Sequence, residues 1–295
     1  MKRFRPSKEN ELKTIFVYTL GRMRGAILGW GIGLAIFGAY MLRFYDTLAE
    51  QGEMLTRLMD QYPRELLVFF GDMTQMFTPA GYMQIEFFSY MPLILGIFIA
   101  SMAGGLVAGD EEKGTLDLLL SHPISRGSLF AGRVGALVSA VLIILVIIWI
   151  SFIVAVQGTL LEEITPGEMA LPLLSLAGLL NFFGALALLL SLLLPSQRAA
   201  TMITSLFLFS TFFLTGMASI DKNLESVEAY SPFYYYQGGY ALNEMNWGWL
   251  GVLIGMAAVM ILLALWRFEQ RDIRVAGEGG WHWLVFHRRK ANAAE

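Results

Sequence analysis

Few residues in this sequence have the types and spacing that chemistry demands. The densest group is "GDEEKGTLDLLLSHPISRG", residues 109–127, with Asp110, Glu111 and Glu112 side by side and Arg126 near its end. Asp110 follows Gly109, and Asp46 follows Tyr45 far upstream. Two such carboxylates could act as an aspartyl dyad if they shared a proton about 3 Å apart. Residue 107 is Val, however, so the G-x-G-D pattern of that chemistry is broken. His122, His282 and His287 have no metal-ligand spacing, and no H-E-x-x-H is present. No G-x-x-x-x-G-K-[ST] cradle for a nucleotide occurs either. With no cysteine, disulfides and thiolate sites are excluded. No catalytic residue, metal ligand or bound cofactor is expected on this chain, and His122 reads as a surface histidine.

The elements that hold these residues are dictated by apolarity. The chain has 295 residues, 56% hydrophobic and 15% charged, with mean hydropathy +0.57. Soluble domains carry about 45–50% apolar and about 25% charged residues, so a lipid bilayer is the natural solvent. The net charge of −3 provides no footprint for nucleic acid. A helix crosses the hydrocarbon core in about 20 residues. Six stretches qualify: 25–42, 87–109, 129–157, 168–194, 199–219 and 247–266.

Lysine and arginine set the orientation. Seven basic residues precede the first span, three lie in 110–133, Arg198 adds one and the tail adds six. Only Arg43, Arg57, Arg64 and Lys222 fall on the other side. Both termini and residues 109–127 are therefore expected in the cytoplasm. Asp46 and Asp110 then lie at opposite ends of their spans, about 30 Å apart, which removes the dyad. The basic opening "MKRFRPSKENELK" lacks an immediate apolar core and a cleavage site, and is not read as a cleaved signal peptide.

The expected fold is all-α integral membrane, with six transmembrane helices. Residues 1–24 form an amphipathic interfacial helix, because Leu12, Ile15, Phe16, Thr19, Leu20 and Met23 follow helical spacing. Residues 25–266 form the membrane domain, and 267–295 a cytoplasmic tail. The first outer loop, 43–86, reads as short amphipathic helices broken at Pro63 and Gly71. The second, 220–246, contains "SPFYYYQGGYALN" and reads as an aromatic belt at the interface. Gly21, Gly25, Gly29 and Gly33 recur every four residues, a stripe that lets another helix approach, within the chain or from a second copy. No ionisable residue lies at the centre of any span. Asn181 is the most polar side chain near a midplane and the one candidate for a substrate path.

Residues 110–128 are expected to form a short cytoplasmic helix between spans two and three. Asp110, Glu111 and Glu112 sit near its start, where carboxylates favour the positive end of the dipole. Leu116, Leu119 and Leu120 share one face, and Pro123 ends the helix. A small amphipathic element tied to two spans suits force transfer from a soluble partner; a loop with leucines dipped in lipid fits the same residues.

Here the residues also resemble a family. "EEKGTLDLLLSHPISR" is similar to the signature of type-2 ABC transporter permeases, E-x-G-T-L-x-x-L-L-x-x-P-x-S-R, which follows their second span. "TPAGYMQIEFFSYMPLILGIFIASMAGGLVAGDEEKGT" resembles the family's approach to it, "SPFYYY" its aromatic outer loop, and "RFEQRDI" its exit from the last span. The likeness covers most of 1–275; the tail "GEGGWHWLVFHRRKANAAE" departs from it. The resemblance implies a permease subunit of a prokaryotic cell membrane, mostly of exporters, paired with a second permease as a homo- or heterodimer. A separate ABC ATPase subunit would bind ATP and Mg and dock on residues 111–126. Leu116, Leu119 and Leu120 would pack on that partner. Glu111, Glu112 and Arg126 would flank them, Gly114 and Pro123 would set the turns at either end, and Thr115 belongs to the same coupling set. The rival reading is a multi-pass anchor or sensor without transport, acting through its long outer loop. Sparse polarity within the spans favours amphipathic or lipid-like molecules, drugs or peptides as cargo over bare ions.

Overall fold

A computed structural model describes residues 8–51, 76–112, 114, 124–218 and 221–270 of the chain. Helices α1 (Lys8–Glu50), α2 (Pro79–Met83), α3 (Met91–Gly105), α4 (Ala108–Glu112), α5 (Arg126–Ala155), α6 (Pro166–Leu193), α7 (Gln197–Ala218), α8 (Glu225–Glu228) and α9 (Trp247–Gln270) follow in order, with no strand among the described residues. Five of them are long and apolar enough to cross a membrane. A sixth span is reached if the bent pair Pro79–Phe88 and Met91–Gly105 counts as one.

Helix α6 is the hub. Its first turn is set by a capping box: Glu168 N donates to Thr165 Oγ1 at 3.3 Å, and Thr165 N donates back to Glu168 Oε2 at 2.8 Å. Pro166 at the first turn lacks a donor that would be unsatisfied there anyway. Beyond that turn the helix is apolar on every side, as a buried helix must be, and α3, α5, α7 and α9 surround it.

Helix α1 departs from expectation. No break separates residues 8–24 from the first span: Lys8–Glu50 is one helix of 43 residues. At 1.5 Å per residue it is about 65 Å long, roughly twice the hydrocarbon core. Its length is explained by a parallel partner, α5, capped by Ser125 Oγ, which accepts from Ser128 N at 3.1 Å. Glycines permit close approach along the pair: a Cβ on Gly132 would meet Ile15 at 2.8 Å, one on Gly31 would meet Ile147 at 2.8 Å, and one on Gly38 would meet Phe152 at 2.4 Å. The apolar face of residues 12–23 thus packs partly on protein. The stripe Gly21, Gly25, Gly29 and Gly33 points elsewhere, with nothing within 4 Å of any added Cβ.

The second span is also built differently from the straight run 87–109. Helix α2 passes into a π-helical turn, Gln84–Phe88, and the chain then bends by 42° into α3. Pro92 in the first turn of α3 cannot donate to a preceding turn. Ser89 closes the π turn, its N and Oγ both donating to Gln84 O at 2.8 and 2.6 Å.

The aromatic stretch 231–242 folds back against this bend instead of forming only an interfacial belt. Tyr236 Oη donates to Phe88 O at 2.8 Å, Gly239 N to Gln84 Oε1 at 2.7 Å, and Gln237 N to Ser175 Oγ at 2.9 Å. Phe233 is buried, while Tyr230, Tyr234 and Tyr240 remain exposed. Phe87, Phe88 and Phe152 meet edge to face beside it, with centroids 5.2–6.5 Å apart. A Cβ on Gly239 would lie 2.4 Å from Gln84 N and 2.7 Å from Ala80 O, both backbone atoms that cannot yield. Gly239→Ala should therefore cost about 1–3 kcal/mol, read as a lowered thermal unfolding midpoint in detergent micelles. Gly33→Ala, facing open space, should not lower it.

Candidate coupling site at the base of the bundle

The residues that anchor the 111–126 segment gather at one end of the bundle, here called the base. Segment residues Thr115, Leu116, Leu119, Leu120 and Pro123 lie outside the described residues. Glu111, Glu112, Gly114 and Arg126 are described, and each bears on how the segment leaves or rejoins the helices.

The departure is built on a buried charge. After α3 the chain turns at 106–107 into α4, which carries Asp110, 4% exposed. Arg133, also 4% exposed, projects from two turns inside α5. Its Nη2 donates to Asp110 Oδ2 at 2.6 Å, and its Nη1 donates to Leu106 O. From α1, Arg22 Nη1 donates to both Asp110 oxygens, at 3.2 and 3.3 Å. The Arg22 guanidinium also stands 5.9 Å over the Tyr18 ring. One carboxylate therefore joins α1, α4 and α5, opposite two cations. A cleft of about 230 Å³ opens beside it, lined by Thr19, Arg22, Ser101, Asp110 and Gln197.

Two residues on, Glu112 Oε1 accepts from Gln197 N at 2.6 Å. It thereby satisfies an orphan amide at the start of α7 and places negative charge at the positive end of that helix. Gly114 closes α4 with φ +66°, a left-handed conformation that glycine adopts without steric cost; its N donates to Glu111 O at 3.0 Å. Glu111 is buried at this turn.

The return is fixed as well. Ser125 N donates to Glu11 Oε2 at 3.4 Å. Arg126 Nη1 donates to Phe268 O and Glu269 O, at 3.5 and 3.3 Å. A cation there meets the open carbonyls at the C-terminal end of α9. The segment is thus held through α1, α5 and α7 on departure and through α1 and α9 on return.

Sequence reasoning brought Glu111, Glu112, Gly114 and Arg126 to this region and missed Arg22 and Arg133. Both entered only as charges that set orientation, and Asp110 only as half of a rejected dyad and as a dipole partner. Part of the signal was available: an arginine seven residues into an apolar helix requires a counter-ion, but Asp110, Glu111, Glu112 and Asp117 all precede it and spacing does not choose among them. Asn181 lies apart on α6 and spends its amide on its own helix, Nδ2 to Ala177 O at 2.8 Å. The dyad is excluded by length, since α1 runs from Arg22, bound to Asp110, to Asp46 over about 36 Å. Asp46 Oδ1 instead accepts from Leu160 N at 2.9 Å.

The ion cluster sets a stability expectation. Asp110→Asn leaves Arg133 buried without its counter-charge and should cost about 3–5 kcal/mol, whereas Asp110→Leu combined with Arg133→Met should recover most of the loss. Thermal unfolding in micelles of the single and double variants is the measurement.

Several apolar helices of spanning length make this a multi-pass membrane protein. Comparison with known families adds its type. The model described as ABC-2 family transporter protein matches residues 22–273, from the Arg22 that binds Asp110 to just past α9. No curated protein matches the chain. A match over most of the length, on a helical bundle with an anchored connection after its second span, identifies the chain as a member of the ABC-2 transporter family, a membrane permease component of an ABC transporter.

Proposed function

We propose that this chain is the membrane-spanning subunit of an ABC exporter of a prokaryotic cell membrane, with both termini and the base in the cytoplasm. A separate ATPase subunit, which binds ATP and Mg²⁺, docks on residues 111–126, and the permease has no ATPase site of its own. The observation that carries this reading is the anchoring of that segment: Asp110, Glu112, Ser125 and Arg126 tie it to α1, α5, α7 and α9. Leu116, Leu119 and Leu120 form the face that enters the partner's groove. Closure of paired ATPases on ATP displaces the segment, and its anchors carry the displacement into the spans. Alternating access follows if the two arrangements of the bundle differ in their fit to the closed ATPase, since a partner shifts an equilibrium only by its differential affinity.

Two permease copies enclose the path. The empty surroundings of Gly21, Gly25, Gly29 and Gly33 support α1 as a face that a second copy approaches. The exposed apolar side chains Met202, Leu206 and Phe213 of α7 fit the same role. Family membership gives no support to a non-transporting anchor.

Leu119→Glu tests the reading. Reconstituted with its ATPase in proteoliposomes, the variant should insert and assemble but transport less substrate per ATP, by roughly 5–150-fold. Transport per ATP equal to wild type would remove the segment from its role. Failure of the purified chain to recruit any P-loop ATPase would remove the permease reading as a whole.

A further inference from the structure

A groove of about 580 Å³ runs between residues 32–43 of α1 and 147–155 of α5. Its size is that of a ligand pocket, and its residues are sorted by bulk. Ala35 and Ala155 are buried and Ala39 and Ser151 partly so, which makes a floor of small side chains. The large side chains beside them stand out: Ile36 is 67% exposed, Ile150 52% and Val154 58%. The result is a slot with branched aliphatic walls, not a flat helix face. Its one aliphatic hydroxyl is spent on its own helix, Ser151 Oγ donating to Ile148 O at 2.7 Å.

The slot has a charged end. Arg43 is the one charged residue among those that line it, and Tyr40 lies one turn before. The nearest acid further along α1, Asp46, is turned to another loop, its Oδ1 accepting from Leu160 N at 2.9 Å. Away from Arg43 the walls carry no charge: α1 has none between Arg24 and Arg43, and α5 none from Val134 to Ala155. The charge-free run of α1, residues 25–42, is about 27 Å long, close to the thickness of a hydrocarbon core. The groove takes the second half of that run. From Ile32 to Arg43 it extends about 16 Å, against about 15 Å for the acyl chains of one leaflet.

A slot that is apolar along its length and cationic at one end complements a molecule that is apolar along its length and anionic at one end. The guanidinium fork matches phosphate oxygens two at a time, and an extended hydrocarbon chain gains dispersion contacts from walls on both sides. We propose that the α1–α5 groove is a binding site for an anionic phospholipid, with one acyl chain in the slot and the phosphate on Arg43. The claim concerns binding and not cargo, so it does not rest on the exporter reading.

The test uses the full-length chain in detergent micelles, titrated with phosphatidylglycerol or phosphatidylcholine of the same acyl chains and followed by native mass spectrometry. The expected result is a saturable first site that prefers phosphatidylglycerol, and no binding of soluble glycerol 3-phosphate. Arg43→Gln should weaken the phosphatidylglycerol site about fivefold and leave phosphatidylcholine unchanged, while Arg43→Lys retains part of the preference. Ile36→Ala and Ile150→Ala, both at exposed wall positions, should weaken it severalfold without a change of charge. Equal binding of the two lipids overturns the proposal, as does wild-type phosphatidylglycerol affinity in Arg43→Gln or in both wall variants. Binding of glycerol 3-phosphate overturns the acyl slot. An Arg43→Gln chain that loses thermal stability equally with either lipid marks an intramolecular contact and overturns it too. So do wall variants that lose a dimer mass but keep the lipid, since the groove is then a contact between copies.

Discussion

One buried carboxylate organises the base of this protein. Asp110 is held between Arg133 and Arg22, and all three come from different helices. Taking these charges from water is expensive, and their mutual attraction offsets the cost only when geometry is good and remaining donors are used. Here the second arm of Arg133 is spent on the Leu106 carbonyl. That carbonyl sits at the turn between α3 and α4, where the helical ladder leaves groups open. The cluster therefore satisfies a backbone defect and a charge defect at once. It also fixes the direction in which the chain leaves the bundle.

The rest of the base follows from that placement. With α4 fixed, Glu112 reaches the first amide of α7 and Gly114 turns the chain away. Arg126 brings it back against the last turn of α9. These are interactions of helix ends with charges, each modest alone, but they share one connection of about a dozen residues. Its two described ends are attached to different helices: α1, α5 and α7 on departure, α1 and α9 on return. Charge placement at helix termini thus ties both ends of this connection into the bundle.

Much of this was legible in the residues. Apolar runs located spans three to six to within a few residues, because such runs have no other solvent. The T-P-G-E start of α6 announces its own capping box. What escaped was tertiary. Nothing local in residues 8–50 says that an amphipathic face will lie along α5 and keep the helix unbroken. The bend of the second span depends on Gln84 and Ser89 together with the returning loop 231–242, which lies far along the chain from them. Arg133 was legible as a charge and not as a partner, since its meaning comes from Asp110 across a fold. The aromatic loop read as interfacial by composition; Gly238 and Gly239, which let it tuck against α2, carry the missing information.

The parallel contact between α1 and α5 also orders how the protein is made. Ile15 packs on Gly132, more than a hundred residues later in the chain. At ribosomal speeds of about 5–20 residues per second, α1 waits roughly 5–25 s for that partner to be synthesised. During that interval its long glycine-lined flank has only lipid, the insertion machinery or a neighbouring nascent chain for company. Assembly of this bundle is therefore a problem of timing, in which α1 waits for a flank that is synthesised two spans later.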